Sequence, residues 1–359
     1  MLLVMVDCSR GTGYVGGYSS DPDLDCRDSV QTVADGMLHA AKEAQAAKVG
    51  LEGGAWPSPV RTGSNAAFYV EMRDDPILVP TIVHYLDRLP APEWSIVVWH
   101  GNLNQKTLEM FVLKHAEGGR VLLVNLEHAG VGVAMGSSDL STGRGHYNCL
   151  LTNIAMWEAF PVFEWILVVQ GDTRLCSGSN FDINHFTKMP YHYYGGVGPQ
   201  SQEDFRNGGF SLRRRNFMAT IISRGPKMLG SGAEDVYFGR RMLTYDLQTR
   251  LANPGVAQTV SMAPFNESQQ FSYLHHPNGS LFRSFGVHKP QLIPNLLGWS
   301  RMTSFCPEVN EIYIIHDGIS FLNHSRSRHF VFALVASLMI AVGGFCFARS
   351  KGSNKHYPK

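Results

Sequence analysis

Trp165-Ile-Leu-Val-Val169 is an uninterrupted apolar run, and Gln170-Gly-Asp-Thr173 follows it directly. Five apolar residues in a row predict a strand that is buried on both faces, and such strands are typical of parallel sheets. The run ends on a glycine and a carboxylate, Asp172. In open α/β sheets ligands bind beyond the carboxyl ends of the strands, so Asp172 is a candidate site residue.

Three more apolar runs of strand length precede this one: Ala67–Glu71, Ser95–Trp99 and Arg120–Val124. Three helix-like segments lie between the four runs: Pro76–Leu89, Asn104–His115 and Tyr147–Phe160. This alternation predicts an α/β fold, with a Rossmann-type, mostly parallel sheet and helices on both of its faces. Because parallel strands end at one edge, Glu71, Arg73 and His100 are expected at the same edge as Asp172.

Length and composition describe a folded protein with a substantial core. The chain has 359 residues, 44% of them apolar and 11% aromatic, which allows one large domain or two ordinary ones. With a formal charge of +1, nothing in the sequence indicates a nucleic-acid partner held by bulk electrostatics, and we expect none. The six cysteines include no Cys-x-x-Cys pair and do not indicate a disulfide framework; Cys149 and Cys176 are expected to be buried thiols.

One segment, Phe330–Ala348, is not typical of a globular domain. It contains no charged residue and has the length needed to span a bilayer. A buried core helix is the alternative. Basic residues on both sides favour a membrane anchor; they are Arg326, Arg328, Arg349 and Lys351.

The expected order along the chain is a Gly/Ser-rich leader (1–64), a catalytic domain (65–300), a juxtamembrane stem (301–329), a transmembrane helix (330–348) and a basic tail (349–359). Glycosylation sequons at Asn266, Asn278 and Asn323 precede the predicted helix and favour a lumenal domain in the ER or Golgi. The apolar run of residues 1–6 is too short for a signal peptide, so we expect either a truncated start or a tail-anchored protein. Because basic residues lie on both sides of the predicted helix, the topology stays open.

Two motifs in the second half predict a sugar site. In Asn207-Gly-Gly-Phe-Ser-Leu212, Gly208 and Gly209 allow a ligand to approach the backbone closely. In Ala233-Glu-Asp-Val-Tyr-Phe238, an acidic pair begins a helix-like stretch. Helix capping alone would explain such a pair. Next to the glycines, we interpret Asp235 as the general base, with Glu234 as a ligand of the acceptor hydroxyl or the second choice of base.

Two further segments suit a diphosphate. A cation held by one or two carboxylates commonly neutralises such a group, and Asp172 could supply one carboxylate, although a turn-capping Asp is the alternative. In Phe285-Gly-Val-His-Lys-Pro290, His288 suits a metal ligand and Lys289 a phosphate clamp. Arg213, Arg214 and Arg215 are expected on a solvated helix face.

Six motifs in this order resemble the domain of unknown function 5672 family, a glycosyltransferase-like group expected to have the GT-A fold. They are Glu71-Met-Arg73, Tyr147-Asn-Cys-Leu-Leu-Thr152, Gln170-Gly-Asp-Thr173, Asn207-Gly-Gly-Phe-Ser-Leu212, Glu234-Asp-Val236 and Phe285-Gly-Val-His-Lys-Pro290. The resemblance covers residues 66–292. The chain departs from the family where Gly171 replaces a Thr and Gln291 a Trp.

The resemblance implies a role for each candidate. Glu71 and Arg73 lie on the nucleotide side, and Asp172 holds a metal ion, Mn or Mg, or the diphosphate. The sugar wall is formed by Asn207, Gly208 and Gly209. Asp235 is the catalytic carboxylate, and His288 and Lys289 hold the leaving diphosphate.

We therefore expect a membrane-anchored glycosyltransferase that moves a sugar from a nucleotide-sugar donor to a hydroxyl of a glycan, lipid or protein. Both inversion and retention at the anomeric carbon are open. The alternative is a catalytically inactive, membrane-tethered protein that binds carbohydrate or nucleotide on the same fold. A dinucleotide enzyme is excluded because no Gly-x-Gly-x-x-Gly turn follows the first strand.

Overall fold

A computed structural model of the chain describes residues 64–115, 120–125, 147–148, 150–158, 161–197, 206–225, 233–253, 261–273, 283–290 and 296–312. The chain divides into two units, Met1–Ile312 and Tyr313–Lys359, and every described residue lies in the first. Residues 1–63 of the predicted leader, Cys149 and the predicted span Phe330–Ala348 lie outside the described residues. Within the described ranges, no helix combines the length and the apolar character that a membrane crossing requires.

In the part of the chain that the structure describes, nine strands form two sheets. They are β1 (Asn65–Glu71), β2 (Trp94–His100), β3 (Val121–Asn125), β4 (Trp165–Val168), β5 (Thr173–Leu175), β6 (Tyr193–Gly196), β7 (Asn207–Arg214), β8 (Ser272–Tyr273) and β9 (Gly286–His288). The larger sheet has the order β3-β2-β1-β4-β7-β6, and the smaller has the order β5-β9-β8. Strands β1 to β4 are parallel, whereas β7 runs antiparallel to β4 and β6. The predicted mixed α/β fold with a mostly parallel sheet is confirmed.

Eight described helices accompany the strands. They are α1 (Leu78–Arg88), α2 (Asn102–His115), α3 (Ile154–Glu158), α4 (Ile183–Thr187), α5 (Arg215–Ser223), α6 (Glu234–Ala252), α7 (Phe265–Phe271) and α8 (Leu296–Phe305). Helix α1 forms where the spacing predicted it, because Leu78, Ile82 and Tyr85 repeat at helical intervals and all are buried.

Helix α3 is shorter than the predicted helix Tyr147–Phe160, because the chain turns at Thr152 and Asn153. The indole Nε1 of Trp157 donates to the carbonyl of Leu151 (2.7 Å), and the Thr152 hydroxyl donates to the carbonyl of Asn148 (2.8 Å). Side-chain donors of this kind compete with the backbone for the carbonyls of a helix. At the break, the carbonyl of Leu151 is thus satisfied by a side chain, whereas the carbonyl of Asn148 also keeps its backbone bond from the amide of Thr152 (3.0 Å).

The core lies around the centre of the larger sheet. Every residue of β2 is buried, and all of β1 after Asn65 is buried too. Trp94 and Trp99 have no exposed surface. This burial of consecutive residues explains why the strands are continuous apolar runs instead of alternating ones.

A disulfide bond joins Cys176 to Cys306 across 130 residues of sequence. The prediction that Cys176 is a free thiol was therefore wrong; spacing alone does not reveal which cysteines pair. The bond fixes the end of α8 beside β5, and the amide of Ser177 donates to Oε1 of Glu308 (3.1 Å). Both cysteines and Glu308 lie in the first unit, which continues to Ile312.

We expected the three consecutive arginines on a solvated helix face, and the structure shows that this prediction was wrong. Arg213 lies in β7 with no exposed side-chain surface, and its guanidinium is 5.1 Å from the ring centre of Tyr193 and 5.3 Å from that of Phe238. Arg214 ends β7, and Arg215 begins α5. Because β7 is a central strand, its side chains point into packed layers, so Arg213 is buried.

Candidate active site

The candidate residues converge at one edge of the larger sheet because β7 runs against β4. Val168, at the carboxyl end of β4, pairs with Ser211 of β7. The first residues of β7, Asn207 to Gly209, therefore extend past the end of β4, on the side where Gln170 and Asp172 follow. The two motifs are separated in sequence, and the antiparallel strand pairing brings them together.

Gly208 contacts the acidic pair at the start of α6. Its amide donates to Oδ2 of Asp235 (3.2 Å). A Cβ atom at Gly208 would overlap Oε1 of Glu234 and would lie 2.7 Å from Nη2 of Arg213. A side chain at this position is therefore incompatible with the carboxylates as they are placed, so the absence of one at Gly208 follows from the local packing.

Gly209 contacts a second group of polar side chains. A Cβ atom here would lie 2.5 Å from Oε1 of Gln170 and 2.6 Å from Cε1 of His288. The imidazole Nε2 of His288 is 3.1 Å from Oε1 of Gln170 and 3.6 Å from Oδ1 of Asp172. The structure thus brings Asp172, His288 and the glycines of β7 into one site.

The smaller sheet places His288 in this group. Strand β9 pairs antiparallel with β5, and His288 is the partner of Thr173. The amide of Lys289 donates to the carbonyl of Asp172 (3.0 Å). Lys289 has a φ of 52°, in the left-handed region that non-glycine residues rarely occupy, which costs on the order of 1 kcal/mol. Such strain is found at functional sites, where the surrounding contacts impose it.

Buried polar groups fix the turn that carries Asp172. The Thr173 hydroxyl donates to the carbonyl of Gln170 (2.6 Å), and it lies 2.6 Å from the hydroxyl of Tyr85. Arg174, which has no exposed surface, donates from Nη1 to the carbonyl of Gly171 (3.1 Å). The turn therefore has little freedom to move.

Burial prepares Asp235 for proton transfer. It raises the pKa of this carboxyl to about 7, and the neighbouring Glu234 adds to the rise. The amides of Gly208 and Val236, and then Arg213, act in the opposite direction. A general base works best when its pKa is near the working pH, so Asp235 suits that role.

Glu234 is placed differently from its neighbour. Its side chain is buried, and Oε1 accepts a bond from Nη2 of Arg213 (2.9 Å) in a buried ion pair. Breaking such a pair by removing one partner costs about 3 to 5 kcal/mol, because the other charge is left uncompensated. The contacts of Glu234 thus support the glycine wall, and Asp235 is the more exposed carboxylate of the two.

Glu71 and Arg73 form a separate polar group at the end of β1, next to β4. Nε of Arg73 is 3.1 Å from Oε1 of Glu71. The side-chain amide of Asn104 donates to the backbone carbonyls of Glu71 (2.6 Å) and Arg73 (2.8 Å). Burial raises the pKa of Glu71 to about 7, against the effect of Arg73. His100 is buried at the end of β2, opposite Glu71 in the strand register.

The sequence prediction missed three residues of the site: Gln170, Tyr147 and Arg213. Tyr147 is buried, and burial together with Glu234 raises the pKa of its hydroxyl above the ordinary value. Gln170 could have been found from its position two residues before Asp172. No sequence signal indicated Arg213, because adjacent arginines suggest a solvated surface.

Two side chains at this site, Asp172 and His288, could act as ligands of a divalent cation. Within the described residues, no group of three or more His, Cys, Asp or Glu side chains could hold a metal ion. Asp172 and His288 nevertheless offer two donor atoms 3.6 Å apart. Burial lowers the pKa of His288 to about 4, against the effect of Asp172, so the imidazole is neutral at pH 7. Ions that bind nucleotides often take only one or two protein ligands, with phosphate and water as the others.

The fold and the site define a mixed α/β protein whose polar groups gather at the carboxyl edge of a mostly parallel sheet. The family model described as a protein of unknown function (DUF5672) matches residues 133–288. That span includes Asp172, the Asn207–Gly209 segment, Asp235 and His288. The resemblance inferred from the six motifs is confirmed over this span. No curated protein matches the sequence.

Three solved structures with similar folds are glycosyltransferases. The mannosyltransferase PcManGT from Pyrobaculum calidifontis, in complex with GDP-Man and Mn²⁺, has a TM-score of 0.37 and 11% identity over 66% of this chain and 65% of its own. The galactosyltransferase LgtC, in complex with donor and acceptor sugar analogs, has a TM-score of 0.38 and 10% identity over 67% of this chain and 94% of its own. The bifunctional glycosyltransferase WbbM has a TM-score of 0.39 and 10% identity over 72% of this chain and 53% of its own.

Proposed function

We propose that this protein is a glycosyltransferase that moves a sugar from a nucleotide-sugar donor to a hydroxyl acceptor. One observation carries the proposal: the two adjacent glycines of β7 contact Asp235 on one side and the Gln170–His288 pair on the other. A base with a raised pKa on one side of this backbone, and polar groups suited to a diphosphate on the other, would place an acceptor hydroxyl and a nucleotide-sugar donor next to each other.

Asp235 acts as the base in this proposal. Its carboxylate accepts the proton of the acceptor hydroxyl as the oxygen attacks the anomeric carbon, and the amide of Gly208 holds Oδ2 in place. Asn207 Oδ1 accepts the amide of Gly209 (2.9 Å), which holds the backbone of the two glycines in place. Inversion follows if Asp235 lies opposite the leaving group, and product stereochemistry decides between this course and retention.

The leaving diphosphate would contact the other half of the site. Mn²⁺ or Mg²⁺ would be held by Asp172 and His288, and when bound it would neutralise charge on the diphosphate. Lys289 follows His288 and would supply a further positive charge. Glu71 and Arg73, at the end of the neighbouring strand, would contact the nucleotide.

We also propose that the protein is attached to a membrane through Phe330–Ala348, with its catalytic unit in the ER or Golgi lumen. The Cys176–Cys306 bond supports an oxidising compartment, since disulfides are rare in the cytosol. Asn266, the first residue of a sequon, is exposed on α7. Mass spectrometry of the glycopeptide that contains Asn266 tests this placement, and an unmodified site in protein from a secretory host would count against it.

The function is tested by the release of free nucleotide from a panel of nucleotide-sugars in the presence of Mn²⁺. Wild-type protein should turn over at least one donor, and Asp235→Asn and Asp172→Asn should each lower the rate about 100-fold or more. Asp87→Asn, an exposed carboxylate on α1, is the matched control. Saturable donor binding without turnover would instead identify an inactive binding protein.

A further inference from the structure

The outward side of α6 carries three leucines that packing against the core does not explain. Leu243, Leu247 and Leu251 recur at every fourth residue, so they lie along one side of the helix. Their exposed fractions are 39%, 51% and 74%. On the inward side Asp246 is buried, where its carboxylate accepts bonds from the amide and the hydroxyl of Ser261. The usual polarity of a surface helix is therefore reversed in the second half of α6.

Two exposed arginines lie on the same side of α6 as the leucines. Arg240 and Arg250 both fall within about 60° of Leu247 around the helix axis, at 3.6 residues per turn. Nε of Arg250 donates to the carbonyl of Asp246 (3.4 Å). Because Asp246 is buried and the other two acids of α6 lie in its first turn, no carboxylate of this helix accompanies the leucines. This side of α6 is therefore both apolar and basic.

We propose that the leucine face of α6 (Arg240, Leu243, Leu247, Arg250 and Leu251) docks on a phospholipid surface of negative charge. A helix that lies in the plane of a membrane interface has this pattern, with apolar side chains among the acyl chains and basic side chains beside the headgroups. An arginine extends its apolar stem along such a surface and bonds phosphate oxygens with its guanidinium. The inference goes beyond the proposed function, and it does not require the predicted anchor.

A second copy of the chain fits the leucine face less well than lipid does. In a two-fold contact the same face of each copy meets the other, so arginines would lie opposite arginines whether the two helices run parallel or antiparallel. Like charges placed against each other oppose association. Lipid phosphates carry the opposite charge, so the charge of this face is complementary to a phospholipid surface.

Docking through this face would also set the position of the candidate active site. Asp235 lies in the first turn of α6, eight residues before Leu243 in the sequence. That separation is about 12 Å along the helix axis. A helix that lies flat on the bilayer therefore holds Asp235 near the membrane surface, close to the acceptors that a membrane presents.

The test is hydroxyl-radical footprinting of the full chain, read by mass spectrometry. It compares protein without lipid, with phosphatidylcholine vesicles, and with vesicles of equal parts phosphatidylcholine and phosphatidylserine. On the mixed vesicles, oxidation of the three leucines should fall about threefold or more, because docked side chains leave the water. Leu103 and Met110, which are exposed on α2, are the internal controls and should be oxidised equally in all three samples.

Charge variants separate the role of the arginines from general basicity. Arg240→Gln combined with Arg250→Gln should restore oxidation of the leucines on the mixed vesicles, because it removes the groups that bind phosphate. Lys188→Gln combined with Arg301→Gln removes the same charge from exposed positions on other elements and should leave the protection intact. Circular dichroism confirms that both variants are folded.

The inference is overturned if the mixed vesicles leave oxidation of the leucines unchanged, or if Leu103 and Met110 lose as much as the leucines do. Equal protection in the two charge variants would also overturn it. Protection that appears without lipid as the protein concentration rises would assign the leucine face to a second copy instead. Nucleotide release is measured without lipid, so the failure of this inference would leave the glycosyltransferase function standing.

Discussion

The most direct test of the site geometry is the substitution Gly208→Ala. The added Cβ atom would overlap Oε1 of Glu234 and approach Nη2 of Arg213 to 2.7 Å. Both side chains are buried and form an ion pair with each other, so neither can move aside into solvent. Either Glu234 leaves Arg213, or β7 shifts away from α6.

Each outcome has a cost that follows from the structure. Loss of the buried pair leaves the Arg213 charge without its partner, at about 3 to 5 kcal/mol. A strand shift that accommodates the extra carbon costs about 1 to 3 kcal/mol by overpacking. Taking about 3 kcal/mol as the middle of these ranges, and about 2 °C per kcal/mol for a domain of this size, the melting temperature should fall by about 6 °C.

Activity should fall further than stability. The amide of Gly208 holds Oδ2 of Asp235, so a movement of this backbone displaces the proposed base. A displacement of about 1 Å at a reacting group costs on the order of 100-fold in rate. Nucleotide release measured well below the melting temperature should show this loss while the protein remains folded.

Gly225→Ala provides the matched control. A Cβ atom at Gly225 would also overlap a side chain, the guanidinium of Arg241, but that group is the end of a long, partly exposed side chain. Its movement should cost less than about 1 kcal/mol. If Gly208→Ala and Gly225→Ala melt at the same temperature, the ion pair does not resist the added carbon and the reasoning is refuted.

A double-mutant cycle tests the mechanism itself. Glu234→Ala removes the carboxylate that the added Cβ atom at position 208 would overlap, and it also removes the ion pair with Arg213. If both single substitutions act by breaking the same contact, the double variant should be far more stable than the sum of the two losses predicts. Strict additivity would show that Gly208→Ala acts through another route.

Two further predictions concern proton transfer and the disulfide. Because Asp235 is active as a base only when ionised and its pKa is about 7, kcat/KM should rise with pH and level off above an inflection near 7. The Glu71→Gln variant should keep this inflection, although the pKa of Glu71 is also about 7. If the inflection disappears in Glu71→Gln, Glu71 and not Asp235 is the base. Cys306→Ser should lower the free energy of unfolding in urea by about 2 to 5 kcal/mol, and reductant should destabilise the wild type but not the variant. Equal midpoints of wild type and variant under oxidising conditions would show that the bond contributes nothing.

The fold was predictable from the sequence because its central strands are buried on both sides. A strand such as β2 has no exposed face, so it appears in the sequence as an uninterrupted apolar run. The rule that ligands bind at the carboxyl edge then indicated Asp172 before the structure was known. Both inferences depend only on local sequence and on the general geometry of parallel sheets.

The pairings between distant segments were not predictable in the same way. No local pattern shows that Cys176 meets Cys306, or that β7 runs antiparallel to β4. The burial of Arg213 depends on rings from other elements, among them Tyr193 and Phe238. These features arise from tertiary packing, and they are the ones that determine how Asp235 and His288 are held.

The raised pKa of Asp235 links the proposed chemistry to stability. Since the folded carboxyl titrates near 7 and the unfolded one near 3.8, the folded state binds more protons between these values, and stability falls as pH rises through that window. The shift corresponds to at most about 4 kcal/mol, and partial exposure reduces it. Asp235→Asn removes this cost, so the inactive variant should melt higher than wild type at pH 8 but not at pH 4. Equal melting at pH 8 would mean that the carboxylate is already well solvated, and a solvated carboxylate would be too weak a base for the proposed role.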